Sequence, residues 1–337
     1  MRRTVALFAL TPLVALLLVT AAEAKRARRT PVNTPTGVVV DGPQLAAYGK
    51  GFAVCRNADL KGEIVACDAD GKNPRTLVSA KAPISAWSPS PKEGVIAWIS
   101  GGKLFLRSTP DGEELDLGLA EPVRPAFSRD GKIVAFVSKG NLVLRDTEGE
   151  RRREIAPREG RVIEGIDFAG DGKWMMALTA PVTKDARAPV DTIERLDSSE
   201  ESPDFEPLQS LEDGRFRSVC VSPVDDQVAF VEGSEKDSES VLHVLALSTG
   251  IRNEFGATGD FREIAFSADG RWLLQNLGGV IHMQQLFRSG TARSFYREIL
   301  TVGDGKADSR PVAGKGGMWF LRGKPGGTLE VVKAELD

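Results

Sequence analysis

Residues 122–150, PVRPAFSRDGKIVAFVSKGNLVLRDTEGE, read as three short strands separated by turns. Residues 125–128 are short and apolar. Arg129-Asp130-Gly131 is a turn, with the glycine free to take positive φ. Residues 133–137 form an apolar strand, Lys139-Gly140-Asn141 a hairpin turn, and residues 142–144 a second strand. The chain turns again at 146–149 before an outer strand at 152–156. This pattern recurs with a period of roughly forty residues, the mark of a repeat array.

Seven copies follow one another, with equivalent points near residues 47, 86, 126, 167, 221, 265 and 313. That spacing suits four short antiparallel strands per copy. The middle strands, such as VIAWI at 95–99 and IVAFV at 133–137, are apolar on both sides. Strands of that kind are sandwiched between neighbours. Radial stacking with closure supplies neighbours on both faces, which is the propeller solution. The expected fold is all-β, a seven-bladed β-propeller of four-stranded antiparallel blades, with a six-bladed ring as the alternative. A linear solenoid competes, but the copies lack its short rungs and strict period.

The copies resemble the repeats of TolB-type β-propellers. The resemblance lies in Ser128-Arg129-Asp130-Gly131, Ser267-Ala268-Asp269-Gly270 and Asp171-Gly172, each ahead of an apolar strand, and in the turn Asp68-Ala69-Asp70-Gly71-Lys72-Asn73-Pro74-Arg75. It covers nearly the whole chain after the leader. The first and seventh copies lack the Ser-x-Asp-Gly turn, and the fourth has Ala169 in place of serine. The resemblance implies a periplasmic, non-catalytic interaction scaffold. TolB-type proteins carry six blades and an added N-terminal domain, for which seven units leave no room.

Of the 337 residues, the first 24 have the form of a secretory signal peptide. Met1-Arg2-Arg3 is a positive n-region, residues 5–19 an apolar core, and Ala22-Glu23-Ala24 a cleavage signal, with the cut expected between Ala24 and Lys25. The apolar run is short for a bilayer span, so no stable membrane insertion is expected after cleavage. Loss of Arg2, Arg3 and Glu23 takes the formal charge from −3 to −4, which speaks against nucleic acid as a partner. Residues 25–36, with Lys25-Arg26-Ala27-Arg28-Arg29, read as a basic disordered leader, and residues 37–337 as a single propeller domain. Closure requires a strand from each terminus in one blade. Residues 38–40, all valine, are the expected outer strand of the last blade, antiparallel to residues 329–334.

The chemistry-bearing residues are sparse. The chain has two histidines, His243 and His282. Aligned on the following turns, Gly250 with Gly290, His243 falls opposite Met283, so the two do not form an obvious pair. A zinc site of several histidines is excluded by number. No Gly-x-Ser-x-Gly elbow or phosphate-binding glycine signature occurs. Asp68-x-Asp70-Gly71 begins like a calcium loop, but its twelfth residue is Ser79 and not glutamate. No catalytic, cofactor or metal residues are assigned. The three cysteines read as free thiols: Cys55 is expected opposite Ile64, which leaves Cys67 three residues along the strand and on the other face.

The fourth unit is long and carries an acidic loop with Glu200, Glu201, Asp204 and Glu206 as candidate partner-binding residues, and a second polar loop follows Glu232. The expected function is an exported, periplasmic or secreted monomeric scaffold that binds a protein or envelope component through loops at the channel mouth. The alternative is a propeller enzyme, a lyase, lactonase or hydrolase, acting on a small molecule in the channel.

Overall fold

The computed structural model describes residues 28–31 and 45–335, apart from short segments at 59, 93, 109–111, 149–151, 184–188, 213, 235–239, 260, 278, 287–295, 300–306, 316 and 324–328. The described residues form seven four-stranded antiparallel sheets. Blade I comprises Leu45–Tyr48, Gly51–Ala58, Lys61–Cys67 and Arg75–Ala80. Blade II comprises Ile84–Pro89, Ile96–Ser100, Lys103–Arg107 and Glu114–Leu119, and blade III Ala126–Phe127, Ile133–Ser138, Asn141–Asp146 and Arg152–Ile155. Blade IV comprises Arg161–Phe168, Trp174–Pro181, Thr192–Asp197 and Glu206–Ser210, and blade V Gly214–Val221, Gln227–Ser234, Ser240–Ala246 and Arg252–Gly259. Blade VI comprises Phe261–Phe266, Trp272–Leu277, Val280–Gln285 and Tyr296–Ile299. Blade VII comprises Ala307–Gly314, Gly317–Gly323 and Leu329–Glu335, completed by Arg28–Pro31.

Within each blade the strands follow one another across the sheet, so the first strand is one edge and the last the other. First strands touch the first strands of both neighbouring blades, in an unbroken circuit that returns from blade VII to blade I. They therefore form the inner ring, and the fourth strands the rim. Each of the seven seams between blades holds its own apolar cluster. Trp98 sits in the seam of blades I and II, Phe136 in that of II and III, and Trp319 in that of VII and I, all at 1% exposure or less. Burying one such large side chain contributes about 1.5–3 kcal/mol, and because both faces of a middle strand are covered, each blade is stabilised from both sides.

The Ser-x-Asp-Gly turns are built as their chemistry suggests. Ser128 Oγ donates to Asp130 Oδ1 (2.7 Å) and accepts the Ile133 N–H (2.9 Å), while Asp130 Oδ1 accepts the Lys132 N–H (3.0 Å). Ser267, Asp269, Arg271 and Trp272 repeat the pattern. Gly131 lies at φ 70, and a Cβ there would meet Ser90 Oγ at 2.5 Å and Lys92 Cβ at 2.9 Å in the turn of blade II. Each turn thus nests against its neighbour, and glycine is required for both conformation and room. Asp68 closes its turn through the N–H groups of Asp70 (3.0 Å) and Lys72 (2.7 Å).

The last blade is completed by an N-terminal strand, but not by the expected one. Arg28, Arg29, Thr30 and Pro31 pair antiparallel with Glu335, Ala334, Lys333 and Val332. These residues belong to the basic run expected to be a disordered leader; residues 38–40, Ala24 and Lys25 lie outside the described residues. The physical reason is position: an outer strand has one pairing partner and is held by backbone hydrogen bonds, so apolar side chains are not a requirement there. Blades VII and I are further joined by Trp319 Nε1 donating to Ala69 O (3.1 Å) and by Lys333 Nζ to Asp70 Oδ1 (2.9 Å). That contact holds the Asp70 carboxyl below its usual range.

Cys55 pairs with Ile64 and Cys67 with Phe52, as the hairpin register implies. All three cysteines are free, and burial pushes the Cys55 thiol up to about 12.

Candidate functional site

The ring has two faces. One, the turn face, carries the Ser-x-Asp-Gly turns and the connections between third and fourth strands. The other, the crossover face, carries the second-to-third-strand hairpins and the links between blades.

The acidic loop lies on the turn face at the outer rim, away from the channel mouth. Asp197 starts it by accepting the Ser199 N–H (3.0 Å), and buried Phe205 anchors its far end in the seam of blades III and IV. Arg153 of blade III donates to the carbonyl oxygens of Ser198 (3.2 Å) and Glu200 (2.5 Å). Glu200, Glu201 and Asp204 are exposed. Glu206 instead receives Arg195 in a two-pronged pair (2.8 and 2.9 Å), and Arg195 also donates to Ser248 O of blade V (3.0 Å) and lies over the Trp174 ring. Glu206 therefore serves a clamp between blades IV and V, whose hydrogen bonds to Arg195 hold its carboxyl below the usual range. The four residues do not converge. The second polar loop lies largely outside the described residues.

The seams next to the crossover face show a feature not read from the sequence. In blades II to VI, each first-to-second-strand turn is closed by a backbone hydrogen bond from Ser90, Ser128, Ala169, Ser222 or Ser267 to Val95, Ile133, Trp174, Gln227 or Trp272, at or just before the start of the second strand. Three residues further on, the cross-strand partners on the third strands are Phe105, Val143, Glu194, His243 and His282. The two histidines are thus structural equivalents in consecutive blades, which corrects the alignment of His243 with Met283. Leu247 and Leu286, each four residues after its histidine, donate to the equivalent carbonyls of Asp226 and Arg271. The turns that follow differ in length and misled the alignment by one residue.

Glu194 is fully buried (0% exposed) in the seam of blades III and IV. It accepts Arg158 Nε and Nη2 (both 3.2 Å), from the link between those blades, and Thr179 Oγ1 (2.6 Å). Arg161 Nη2 reaches Thr179 O (3.0 Å) and pairs with Asp191, and Thr192 Oγ1 lies 3.2 Å from Ser210 Oγ. A charged residue within the strand TIERLD, between buried Ile193 and Leu196, was the available signal.

Beside this network, in the seam of blades IV and V, is a cavity of about 350 Å³ lined by Gln209, Ser210, Leu211, Glu212, Gly214, Glu232 and Gly233. Behind its wall, His243 stacks on Phe230 (centroids 5.0 Å apart) and places Nε2 3.3 Å from Glu232 Oε2. Arg252 Nη1 donates to Gln209 Oε1 (3.2 Å) and lies 3.9 Å from Glu232. Burial, reinforced by Arg252 and opposed by Glu232 and Glu254, lowers the His243 pKa, so the ring is neutral at pH 7. The Nδ1 of this ring is buried and meets no hydrogen-bond partner among the described residues.

On the inner ring, Asp167 of blade IV faces away from Ile166 and Phe168, which pack towards blade III. Enclosure pushes its carboxyl up, partly offset by Arg124 and by the Phe168 N–H. Burial first, and the neighbouring Asp167 second, raise the Cys220 thiol on the first strand of blade V. No group of three or more potential metal ligands occurs among the described residues.

No family model matches the chain, and no curated protein does. Solved structures do. A chain of Kuenenia stuttgartiensis hydrazine synthase matches over 90% of this chain and 99% of its own, at 14% identity and a TM-score of 0.64. Oligogalacturonate lyase from Vibrio parahaemolyticus matches over 93% and 97%, at 11% identity and 0.64. The β-propeller domain of Cps50 (Swd1) from Myceliophteria thermophila matches over 91% and 99%, at 14% identity and 0.61. This chain is a β-propeller. At such identities the likeness extends to the fold and not to the chemistry it carries.

Proposed function

We propose that the chain is an exported, non-catalytic propeller of the TolB type, periplasmic or secreted, that binds a protein or envelope component through its crossover face. The observation that carries this reading is Leu60. It sits at the hairpin tip between Ala58 and Lys61, is 82% exposed, and takes φ 63. A leucine in the left-handed region costs about 1–3 kcal/mol, and strain of this kind gathers at binding sites. Leu119 and Val182, also exposed, lie on the same face: Ala120 N–H bonds to Gly102 O at one hairpin, and Val182 N–H to Gly160 O at a blade link. Apolar tips rimmed by polar groups suit a protein surface.

The test is affinity capture from an envelope extract with residues 25–337 as bait, compared with Leu60→Gly. Glycine relieves the strained φ, so the melting temperature should hold or rise, while a specifically retained component is lost. Equal retention by both baits refutes the reading.

One observation favours the enzyme alternative. An inner-ring carboxyl raised by burial and acted on by a guanidinium, as at Asp167, is the kind of group that general acid–base chemistry uses. Turnover of a small molecule that Asp167→Asn abolishes without unfolding the chain would establish that alternative.

A further inference from the structure

We propose that the crossover face of blades I to III docks reversibly on an anionic lipid surface; this rests on the crossover face being the binding face, and names the envelope component it meets. The case starts from three equivalent two-residue hairpins. Ala58 pairs with Lys61, Ser100 with Lys103 and Ser138 with Asn141, so the turns align residue by residue. Blade II uses Gly101 and Gly102, at φ 59 and 73. Glycine is the ordinary choice for such turns, and blade II shows that the ring accepts it. Blade I has Leu60 in the place of Gly102, at φ 63, and blade III has Lys139 in the place of Gly101, at φ 52. Both are exposed, so packing within the ring accounts for neither.

The rest of this side is cationic and apolar. Lys61 and Lys81, like Lys139, are exposed and have no partner among the described residues. Exposed Leu119 pairs across the strands with Lys103, whose Nζ reaches Asp116 Oδ2 (2.7 Å). Of the other carboxylates, Glu121 accepts the Gly140 N–H (2.6 Å), and Asp59 precedes Leu60 in sequence. Exposed Glu159, on the link to blade IV, ends the cationic stretch. Leu60, Leu119 and Val182 belong to three different blades. A protein partner would need such anchors gathered in one packed patch. A bilayer interface takes them singly, while lysine stems lie along it and their ammonium groups meet phosphates.

The blade I tip has a fixed base. Asn57 Oδ1 accepts the Ile84 N–H (2.9 Å) and its Nδ2 donates to Ile84 O (3.0 Å). Gly62 lies so close to blade II that a Cβ there would meet Ile84 N at 2.8 Å. Leu60 is therefore presented without further ordering on docking. Exposed Glu200, Glu201 and Asp204 stand on the turn face, so an anionic surface repels that side and orients the ring.

The test is flotation of residues 25–337 with vesicles of phosphatidylcholine, alone or with about one-third phosphatidylglycerol. Retention on the anionic vesicles is expected, and its loss in about 0.5 M salt. The triple variant Lys61→Gln, Lys81→Gln, Lys139→Gly removes three exposed charges and relieves one strained φ, so the chain stays folded while partitioning falls about tenfold or more. Leu60→Gly should lower it several-fold. A site-specific label separates this face from the basic run at 25–29. Nitrobenzoxadiazole on Leu60→Cys should shift to the blue on the anionic vesicles, and the same label on Glu201→Cys should not. Retention independent of the three lysines, equal retention on uncharged vesicles, or a shift only in the Glu201→Cys chain overturns the proposal. Leu60-dependent capture of a protein without vesicle binding also overturns it, and keeps the crossover face as the docking side. Vesicle binding that requires Leu60, with no Leu60-dependent protein captured, upholds it and removes the protein partner.

Discussion

At one register position of the third strand, facing the preceding blade, blades II and III carry Phe105 and Val143, whereas blades IV, V and VI carry Glu194, His243 and His282. Val143 belongs to a buried apolar cluster with Leu104, Leu106 and Phe136. The seam of blades III and IV buries a carboxylate together with Thr179 and Thr192. Blade VI continues the polar side with Gln275, Asn276 and Gln284, all at 2% exposure or less. A repeat fold tolerates this because each seam is a separate nearest-neighbour interface. One arc can be packed for stability while another carries satisfied polar groups. It is beside the polar arc that the cavity lies.

Exchanging residues between the arcs tests whether the polar groups are tied to their surroundings. Val143→Glu places a carboxylate within a buried apolar cluster, and should cost at least about 4 kcal/mol, enough to unfold much of the population. Glu194→Val makes the reverse change. It strands Thr179 and Arg158, but Arg158 is 40% exposed and can turn to water. The loss should be about 2 kcal/mol, below the roughly 3–5 kcal/mol typical of a broken buried pair. Urea midpoints of the two variants should therefore differ widely, with Val143→Glu the lower. Equal losses would mean that the two seams are alike and that Glu194 has no dedicated partners.

The apolar arc was legible in the sequence and the polar arc was not. The register of Cys55 with Ile64 follows from tight hairpins and alternating apolar residues, which are local signals. Glu194 depends on Arg158, thirty-six residues away on the preceding link, and no local pattern announces such a partner. The closing strand was missed for a related reason: Arg28–Pro31 is held by backbone pairing at a rim, where composition says little. The acidic loop stood out by charge, yet Glu206 answers to Arg195 and the others to solvent. The equivalence of His243 and His282 became visible only through the ladders, because the loops that follow them differ in length.

The smallest expected effect is a change in how stability responds to pH. The His243 pKa is lowered in the folded state by burial first and by Arg252 second, against Glu232 and Glu254. Its unfolded value is about 6.5. Above that pH both states hold the ring neutral, and the stabilisation is fully present. As pH falls below it, the unfolded chain takes up the proton first, so stability is lost progressively down to the folded value. The slope from this group is at most about 1.4 kcal/mol per pH unit. Asp130 and Asp269, whose carboxyls are lowered, lose their contribution only in more acid solution, and Asp167, whose carboxyl burial raises, is common to wild type and to a His243 variant, so the difference between those two from about pH 5.5 to 7.5 reports the histidine. His243→Gln should flatten the fall of the urea midpoint across that window, while Phe105→Leu, at the same position in the apolar arc, should shift the midpoint without altering its slope. Parallel profiles for wild type and His243→Gln would show that the ring does not titrate with folding and that the polar arc confers no acid sensitivity at this seam.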